Sequence, residues 1–130
     1  MNKEALRYLE NAKKILSKAL REDSTYSDIK HVQEGCGTAY LAILKAIDAS
    51  LVNKGVNPKD LPQSVEGYRR MMKKYLSAHN GKLQHNFEAL YQELHIAGYY
   101  RGLLRNVAVV KEVFKAAERF IGKLSSLSSR

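Results

Sequence analysis

The hydrophobic residues of this chain recur mainly at steps of three and four, the spacing of one face of an α-helix. The first series, over about residues 3–22, consists of Leu6, Leu9, Ala12, Leu16, Ala19 and Leu20. Four basic residues lie largely outside that stripe: Lys13, Lys14, Lys18 and Arg21. Turn-favouring residues follow from Asp23 to Ser27. We predict a first amphipathic helix with a basic flank, then a turn, with Ser27 as the N-cap of the next helix.

A second, wider apolar stripe covers about residues 28–54. One row contains Ile29, Val32, Cys36, Ala39, Ile43, Ala46 and Ser50, and the row beside it contains Tyr40, Leu44, Ile47 and Leu51. This double width predicts the central and most buried helix. Gly35 and Gly37 each cost helical stability, about 1 kcal/mol against alanine, but they leave a smooth surface for a closely packed neighbour. Gly55 is expected to form a left-handed C-terminal cap.

Three more helical patterns complete the chain. The third runs from Ser64 or Val65 to about Ala78, with Val65, Tyr68, Met72, Tyr75 and Leu76 directed inward. The fourth contains Leu83, Phe87, Leu90, Leu94 and Ala97, and its next position would be Arg101. The fifth, over about residues 105–124, follows a series offset by one or two residues: Leu103, Val107, Val110, Phe114, Ala117, Ile121 and Leu124.

The change of phase between the last two series occurs next to Gly98 and Gly102, and it predicts a tight connection within residues 98–105. Gly98 and Gly102 would permit a close helix crossing or supply the turn itself. Arg101 allows two interpretations. Either the helix has ended before it, or the arginine is partly buried and needs an acidic or carbonyl partner, because an unpaired buried charge is costly.

These patterns together predict an all-α fold, an antiparallel bundle of four or five helices. No alternation of period two is long enough to predict a strand. We expect one domain over residues 1–125 and a frayed polar tail over 126–130. With one cysteine, Cys36, the chain cannot form an intramolecular disulfide, which favours a cytoplasmic location. No apolar run approaches the roughly 20 residues that span a bilayer, so no membrane role is expected.

Charge is the strongest compositional bias, with 22 basic and 13 acidic residues in a chain of 130 and a formal net charge of +9. Such an excess attracts polyanions such as RNA, but it also serves solubility alone. The third helix carries a basic band of Arg69, Arg70, Lys73 and Lys74. Tyr99 and Tyr100 adjoin Arg101, a combination that suits stacking on single-stranded RNA and equally suits protein interfaces.

The chain resembles the HEPN superfamily of small helical bundles in two features. One is the pair Arg105-Asn106, and the other is a long alanine-rich helix that ends in the segment Leu51 to Gly55 and is followed by a polar connection and a basic helix. The motif of that superfamily is an arginine, commonly followed by a polar residue such as asparagine, with a histidine four to six residues after the arginine. Here Val109, Val110 and Lys111 occupy those three positions. The resemblance implies a helical bundle that is often dimeric. It also implies a binding or accessory role, since the acid-base group of the RNA-cleaving members is missing.

His95 is the remaining candidate for catalysis. If the fourth helix continued, His95 would share a face with Arg105, and a histidine beside Arg101 or Arg105 could act on a phosphodiester. The alternative is that His95 is a packed or surface residue. His31, His79 and His85 lie on other elements, and with Cys36 they give no metal-ligand spacing. We therefore expect no metal and no cofactor.

Three functional hypotheses follow. The first is a non-enzymatic HEPN-like module that dimerises or binds a protein, such as a nucleotidyltransferase, through the fourth and fifth helices. The second is a divergent metal-independent ribonuclease that uses His95 with Arg101 or Arg105. The third is an RNA-binding module that uses the basic band and the residues around the predicted connection: Arg69, Arg70, Lys73, Lys74, Tyr99, Tyr100, Arg101, Arg105 and Asn106.

Overall fold

A computed structural model describes residues 3–76 and 81–128, with side chains to residue 127. The described residues form an all-α bundle, as predicted. Its helices are α1 (Lys3–Ser17), α2 (Ile29–Asn53), α3 (Val65–Tyr75), α4 (Lys82–Leu90) and α5 (Val107–Ser128). A π-helix, Tyr91–Tyr100, continues α4, and a short 3-10 helix, Pro58–Asp60, precedes α3. Two short strands, β1 (Arg21–Glu22) and β2 (Thr25–Tyr26), form an antiparallel hairpin between α1 and α2.

Helix α2 lies at the centre of the bundle, as its double apolar stripe predicts, and it packs against α1, α3, the π-helix and α5. Eleven of its 25 residues are buried, among them both rows of the predicted stripe from Val32 to Leu51 except Leu44. By length and composition α2 could also cross a membrane. A single helix of this kind is weak evidence for that role, because the buried core helix of a soluble protein meets the same criterion.

The hairpin corrects the predicted end of the first helix and the expectation of no strands. Helix α1 ends at Ser17, where the amides of Lys18 and Ala19 bond three residues back and tighten the last turn. Leu20 then lies outside the helix and is 69% exposed. Strands of two residues each are too short to show an alternating pattern. Tertiary hydrogen bonds hold the hairpin, since the Tyr26 amide donates to the Arg105 carbonyl at 2.8 Å.

The helix ends confirm the cap predicted at Gly55 and correct the one predicted at Ser27. The N-cap of α2 is Asp28 and not Ser27, whose amide donates to the Leu20 carbonyl. The Asp28 carboxylate caps no amide but lies 2.6 Å from His31 Nδ1, and this hydrogen bond lowers the pKa of Asp28. Gly55 has the positive φ expected of it, +100°. Ser64 caps α3 through a bond from the Gly67 amide.

Helices α3 and α5 largely follow the predicted pattern. In α3, Tyr68, Met72 and the following Leu76 are buried, whereas Val65 and Tyr75 are half-buried. The predicted end of this helix at Ala78 lies outside the described residues, as does His79. The α5 series is buried from Val107 to Leu124, but Leu103 is 58% exposed because it precedes the helix. Helix α5 continues to Ser128, through residues 126–128 of the predicted tail.

Candidate functional site

The π-helix Tyr91–Tyr100 is the structural reason for the phase change in the sequence. Its hydrogen bonds span five residues, so its turns are wider than those of an α-helix. The buried positions accordingly pass from Leu90 to Leu94 and then to Gly98, while Ala97, the predicted next position, is half-buried. π-Helical hydrogen bonding is mostly confined to single turns and is frequent at functional sites. A π-helix of ten residues is therefore unusually long.

Two glycines allow the π-helix to approach α2 closely. A Cβ atom on Gly98 would lie 2.7 Å from the sulfur of Cys36 and 2.8 Å from its Cβ. From the opposite side, a Cβ atom on Gly37 would lie 2.6 Å from the Tyr99 ring. Contacts shorter than 3.0 Å essentially never occur at real Cβ atoms. The close crossing and the smooth α2 surface inferred from the sequence are therefore both present.

Four rings project from one side of α4 and the π-helix at intervals of four residues, and we call them the aromatic ladder: Phe87, Tyr91, His95 and Tyr99. Successive ring centroids are 6.4, 5.5 and 5.9 Å apart. The Tyr40 ring of α2 stacks on His95 at 4.8 Å. Burial raises the pKa of Tyr40 to about 12, so this ring remains neutral at physiological pH. His95 is thus a packed residue within a stack of rings.

The helix ends before the arginines that the ribonuclease hypothesis pairs with His95. The Arg101 amide donates to the Ile96 carbonyl, and Gly102 then turns the chain with a φ of +61°. Gln33 holds this end in place by donating its side-chain amide to the Tyr99 carbonyl at 3.0 Å. Arg101 is exposed, which confirms that the helix has ended there. The continuous helical face proposed for His95 and Arg105 does not exist.

The HEPN-like pair serves the start of α5. The Asn106 side chain accepts a hydrogen bond from the Val109 amide at 3.0 Å, and this capping bond satisfies an unpaired donor of the first helical turn. The main chain of both residues joins the hairpin, through the Arg105 carbonyl and through a β-bridge between Asn106 and Thr25. The Arg105 side chain is exposed, and Val110 is fully buried.

In the predicted basic band on α3, Arg69 is paired with two acidic residues, whereas the other three basic residues are exposed. Arg69 donates to both carboxylate oxygens of Glu88 on α4, at 2.6 and 2.9 Å, and also bonds Glu66. Its guanidinium lies 5.4 Å from the centre of the Tyr91 ring, at one side of the aromatic ladder. The hydrogen bonds that Arg69 donates to Glu88 and Glu66 raise the pKa of Arg69. Arg70, Lys73 and Lys74 are exposed.

A surface formed by α4, the π-helix and α5 carries two adjoining shallow cavities, of about 310 and 350 Å³. Both are lined by Glu93, Ala116 and Arg119, and we call this surface the α4–α5 face. Glu112 lines the second cavity, and Lys123 the first. Among the residues described, Glu93, Glu112 and Arg119 form no ion pair. This face therefore presents opposite charges on either side of a small residue.

The apolar pattern predicted an interface on the fourth and fifth helices, but it did not single out Glu93, Glu112, Ala116 or Arg119. A usable signal was present, because Glu112 and Arg119 stand one helical turn before and after Ala116. The four-residue spacing of the aromatic ladder was likewise readable in the sequence. No group of three metal-ligating side chains occurs within residues 3–76 and 81–128.

Comparisons with known proteins identify relatives without an assigned function. A protein of unknown function from Dyadobacter fermentans is 32% identical, with a TM-score of 0.74 over 93% of this chain and 89% of that chain. A crystal structure of a Sulfolobus solfataricus protein shares the fold at 19% identity, with a TM-score of 0.73 over 97% and 96% of the two chains. No curated protein matches significantly. A family model described as domain of unknown function (DUF5618) matches residues 1–126, and the chain therefore belongs to that family.

Proposed function

We propose that this chain is a non-enzymatic interaction module, related to the HEPN bundles, that forms a homodimer through its α4–α5 face. The observation that carries the proposal is the arrangement of opposite charges around Ala116. Glu112 lies four residues before Ala116 and Arg119 lies three residues after it, on the same side of α5. If two copies of α5 cross in antiparallel orientation at Ala116, Glu112 of each copy lies opposite Arg119 of the other.

Such a pairing is isologous, the commonest symmetry of protein dimers, because one surface binds its own copy. Ala116 and Ala108 are small enough for two helices to approach, and the two shallow cavities can receive side chains of the second copy. Complementary charges set the register and suppress wrong partners more than they raise affinity. The absence of ion pairs at Glu112 and Arg119 within the described chain leaves both free for a partner.

The non-enzymatic part of the proposal rests on the residues that occupy the motif. Val110 is fully buried, so that position faces the core and not a substrate. Asn106 is engaged as a helix cap. His95 is stacked between Tyr91 and Tyr99, and no hydrogen bond to a described protein group orients its ring nitrogens as a base requires.

A charge-swap experiment tests the dimer. Sedimentation equilibrium should show a dimer for the wild type, monomers for Arg119→Glu and for Glu112→Arg, and a restored dimer for the double variant that carries both changes. Lys14→Glu, at an exposed residue of α1 that lines neither cavity of this face, is the matched control and should remain dimeric. A wild-type chain that stays monomeric at its highest soluble concentration would overturn the homodimer and leave this face to another protein, such as a nucleotidyltransferase.

RNA binding is a second candidate, supported by the exposure of Tyr100, which is 75% accessible, beside the exposed arginines Arg101 and Arg105. A base could stack on the tyrosine while the guanidinium groups contact phosphates. The affinity for labelled single-stranded RNA, measured by fluorescence anisotropy, should then fall steeply as the salt concentration rises. Tyr100→Ala and Arg101→Gln should each weaken binding, whereas Arg119→Gln should not. Undetectable binding at low salt would contradict this function.

A further inference from the structure

A cleft of about 520 Å³ lies where the C-terminal end of α1, the hairpin and α5 meet. Its lining includes four apolar or aromatic side chains: Leu16, Ala19, Tyr26 and Phe114. Ala19, Tyr26 and Phe114 are buried and belong to the core, so they form a fixed floor. The volume falls within the range of about 300–1,000 Å³ found for small-molecule sites. The cleft can therefore hold a compact apolar body.

Basic side chains surround this apolar floor. Lys13, Arg21, Lys111 and Lys115 line the cleft, and Glu118 is the one acidic residue of its lining. Glu118 lies 3.3 Å from Lys13 Nζ, so its charge is already shared with that lysine. Among the described residues, Arg21, Lys111 and Lys115 have no acidic partner. The cleft therefore holds a surplus of positive charge next to a low-polarity surface.

The placement of Lys111 and Lys115 strengthens this argument. They stand four residues apart on α5, where like charges repel and destabilise a helix. An anion bound between them would relieve that repulsion and gain charge-assisted hydrogen bonds. Burial raises the pKa of Tyr26, an effect that the charge of Arg21 opposes in part. The Tyr26 hydroxyl remains neutral at physiological pH and does not repel an anion.

We propose that this cleft binds a small organic anion with a compact aromatic body, whose ring rests on Phe114 and Leu16 while its acidic group contacts Lys111, Lys115 and Arg21. The proposal is independent of the α4–α5 face, since no residue that lines this cleft also lines a cavity of that face. A neutral aromatic compound would occupy the same floor but would leave the basic rim unpaired.

Two fluorescent probes that differ mainly in charge test this inference. The first, 8-anilinonaphthalene-1-sulfonate, has an aromatic body and a sulfonate, and N-phenyl-1-naphthylamine has the same body without the charge. The wild type should bind the sulfonate at one saturable site and more tightly than the neutral probe. Replacing Lys111 and Lys115 together with glutamine should weaken sulfonate binding by roughly tenfold or more, the effect of losing charge-assisted contacts. Binding of the neutral probe should change little.

Two further variants complete the test. Replacing Lys73 and Lys74 of α3 together with glutamine removes the same charge from exposed residues that do not line the cleft and should leave sulfonate binding unchanged. Ala19→Phe fills the cleft and should abolish binding of both probes, with circular dichroism confirming the fold. Equal affinity of the wild type for the two probes would overturn the proposal. Sulfonate binding that survives either the double glutamine variant at Lys111 and Lys115 or Ala19→Phe would also overturn it.

Discussion

The contact between Gly98 and Cys36 makes a quantitative prediction about the packing of the π-helix on α2. A methyl group at Gly98 would lie 2.7 Å from the Cys36 sulfur, 2.8 Å from the Cys36 Cβ and 2.9 Å from the Glu93 carbonyl oxygen. The Cys36 Cβ is bonded to the backbone of α2, and the Glu93 oxygen is a backbone atom of the π-helix, so neither can move by a side-chain rotation. The two contacts with Cys36 can be relieved if the π-helix moves away from α2, but the contact with Glu93 lies within the π-helix and can be relieved only if its turn distorts.

The expected magnitude follows from two opposing effects of Gly98→Ala. Inserting a methyl group into a packed interior typically costs about 1–3 kcal/mol. Alanine in place of glycine favours a helix by up to about 1 kcal/mol. We expect the clash to prevail, and the free energy of unfolding to fall by about 1 kcal/mol, the difference between a mid-range clash of about 2 kcal/mol and a helix gain of about 1 kcal/mol.

Gly122→Ala is the matched control, because no heavy atom lies within 4 Å of a Cβ atom built on Gly122. This variant should gain about 0.5–1 kcal/mol, the effect of replacing glycine within a helix. Urea unfolding followed by far-UV circular dichroism measures both changes. If Gly98→Ala unfolds at the same urea concentration as Gly122→Ala, the proposed close contact with Cys36 is wrong. Combined with Cys36→Ala, Gly98→Ala should cost less, since the nearest atom has been removed.

Three other properties can be measured. Asn106→Ala removes the capping bond to the Val109 amide and should lower stability by about 1 kcal/mol, whereas Asn106→Ser should retain most of it, as urea unfolding would show. Burial raises the pKa of Asp48 above its usual 3.8, although Tyr68 donates a hydrogen bond to its carboxylate. The contribution of Asp48 to the free energy of unfolding should therefore fall as pH rises past 3.8 and level off above the folded-state pKa. Asp48→Asn should abolish this loss in unfolding curves measured from pH 3 to 7. Burial raises the pKa of the Cys36 thiol to about 12, so it should react with a thiol reagent at neutral pH only after unfolding, and rapid reaction of the native protein would contradict its burial.

The helical core could be predicted from the sequence because burial imposes a regular spacing on apolar residues. In α2 both predicted rows lie in the core, since a central helix is in contact with neighbours on most of its surface. The approximate position of the connection could also be predicted. Gly98 and Gly102 stand at the phase change, and the structure gives them the two roles that the sequence left open, a close crossing and a turn.

The hairpin and the state of Arg69 could not be predicted, because both depend on residues far away in sequence. Strands β1 and β2 are held partly by hydrogen bonds to residues 105–107, more than 75 positions later. Arg69 lies in the basic band of α3 by pattern alone, yet Glu88 of α4 binds it through two bonds. Local composition predicts charge, but only tertiary structure determines which charges are already neutralised.

The geometry of the π-helix accounts for the direction of the aromatic ladder, for the close glycine contacts and for the position of Arg105 and Asn106. In an α-helix, with 3.6 residues per turn, each step of four residues advances about 40° around the axis, so Tyr99 would be rotated about 80° from Tyr91. A coil with hydrogen bonds across five residues turns less per residue, so four residues no longer overshoot a full turn. Tyr91, His95 and Tyr99 can then all face α2, with Tyr99 over Gly37 and Gly98 against Cys36. Because the tight packing ends there, Gly102 can turn the chain toward the hairpin, where the Arg105 and Asn106 backbones are bound. Arg105 and Asn106 thus anchor the start of α5, whose exposed side carries the α4–α5 face for which we propose self-association.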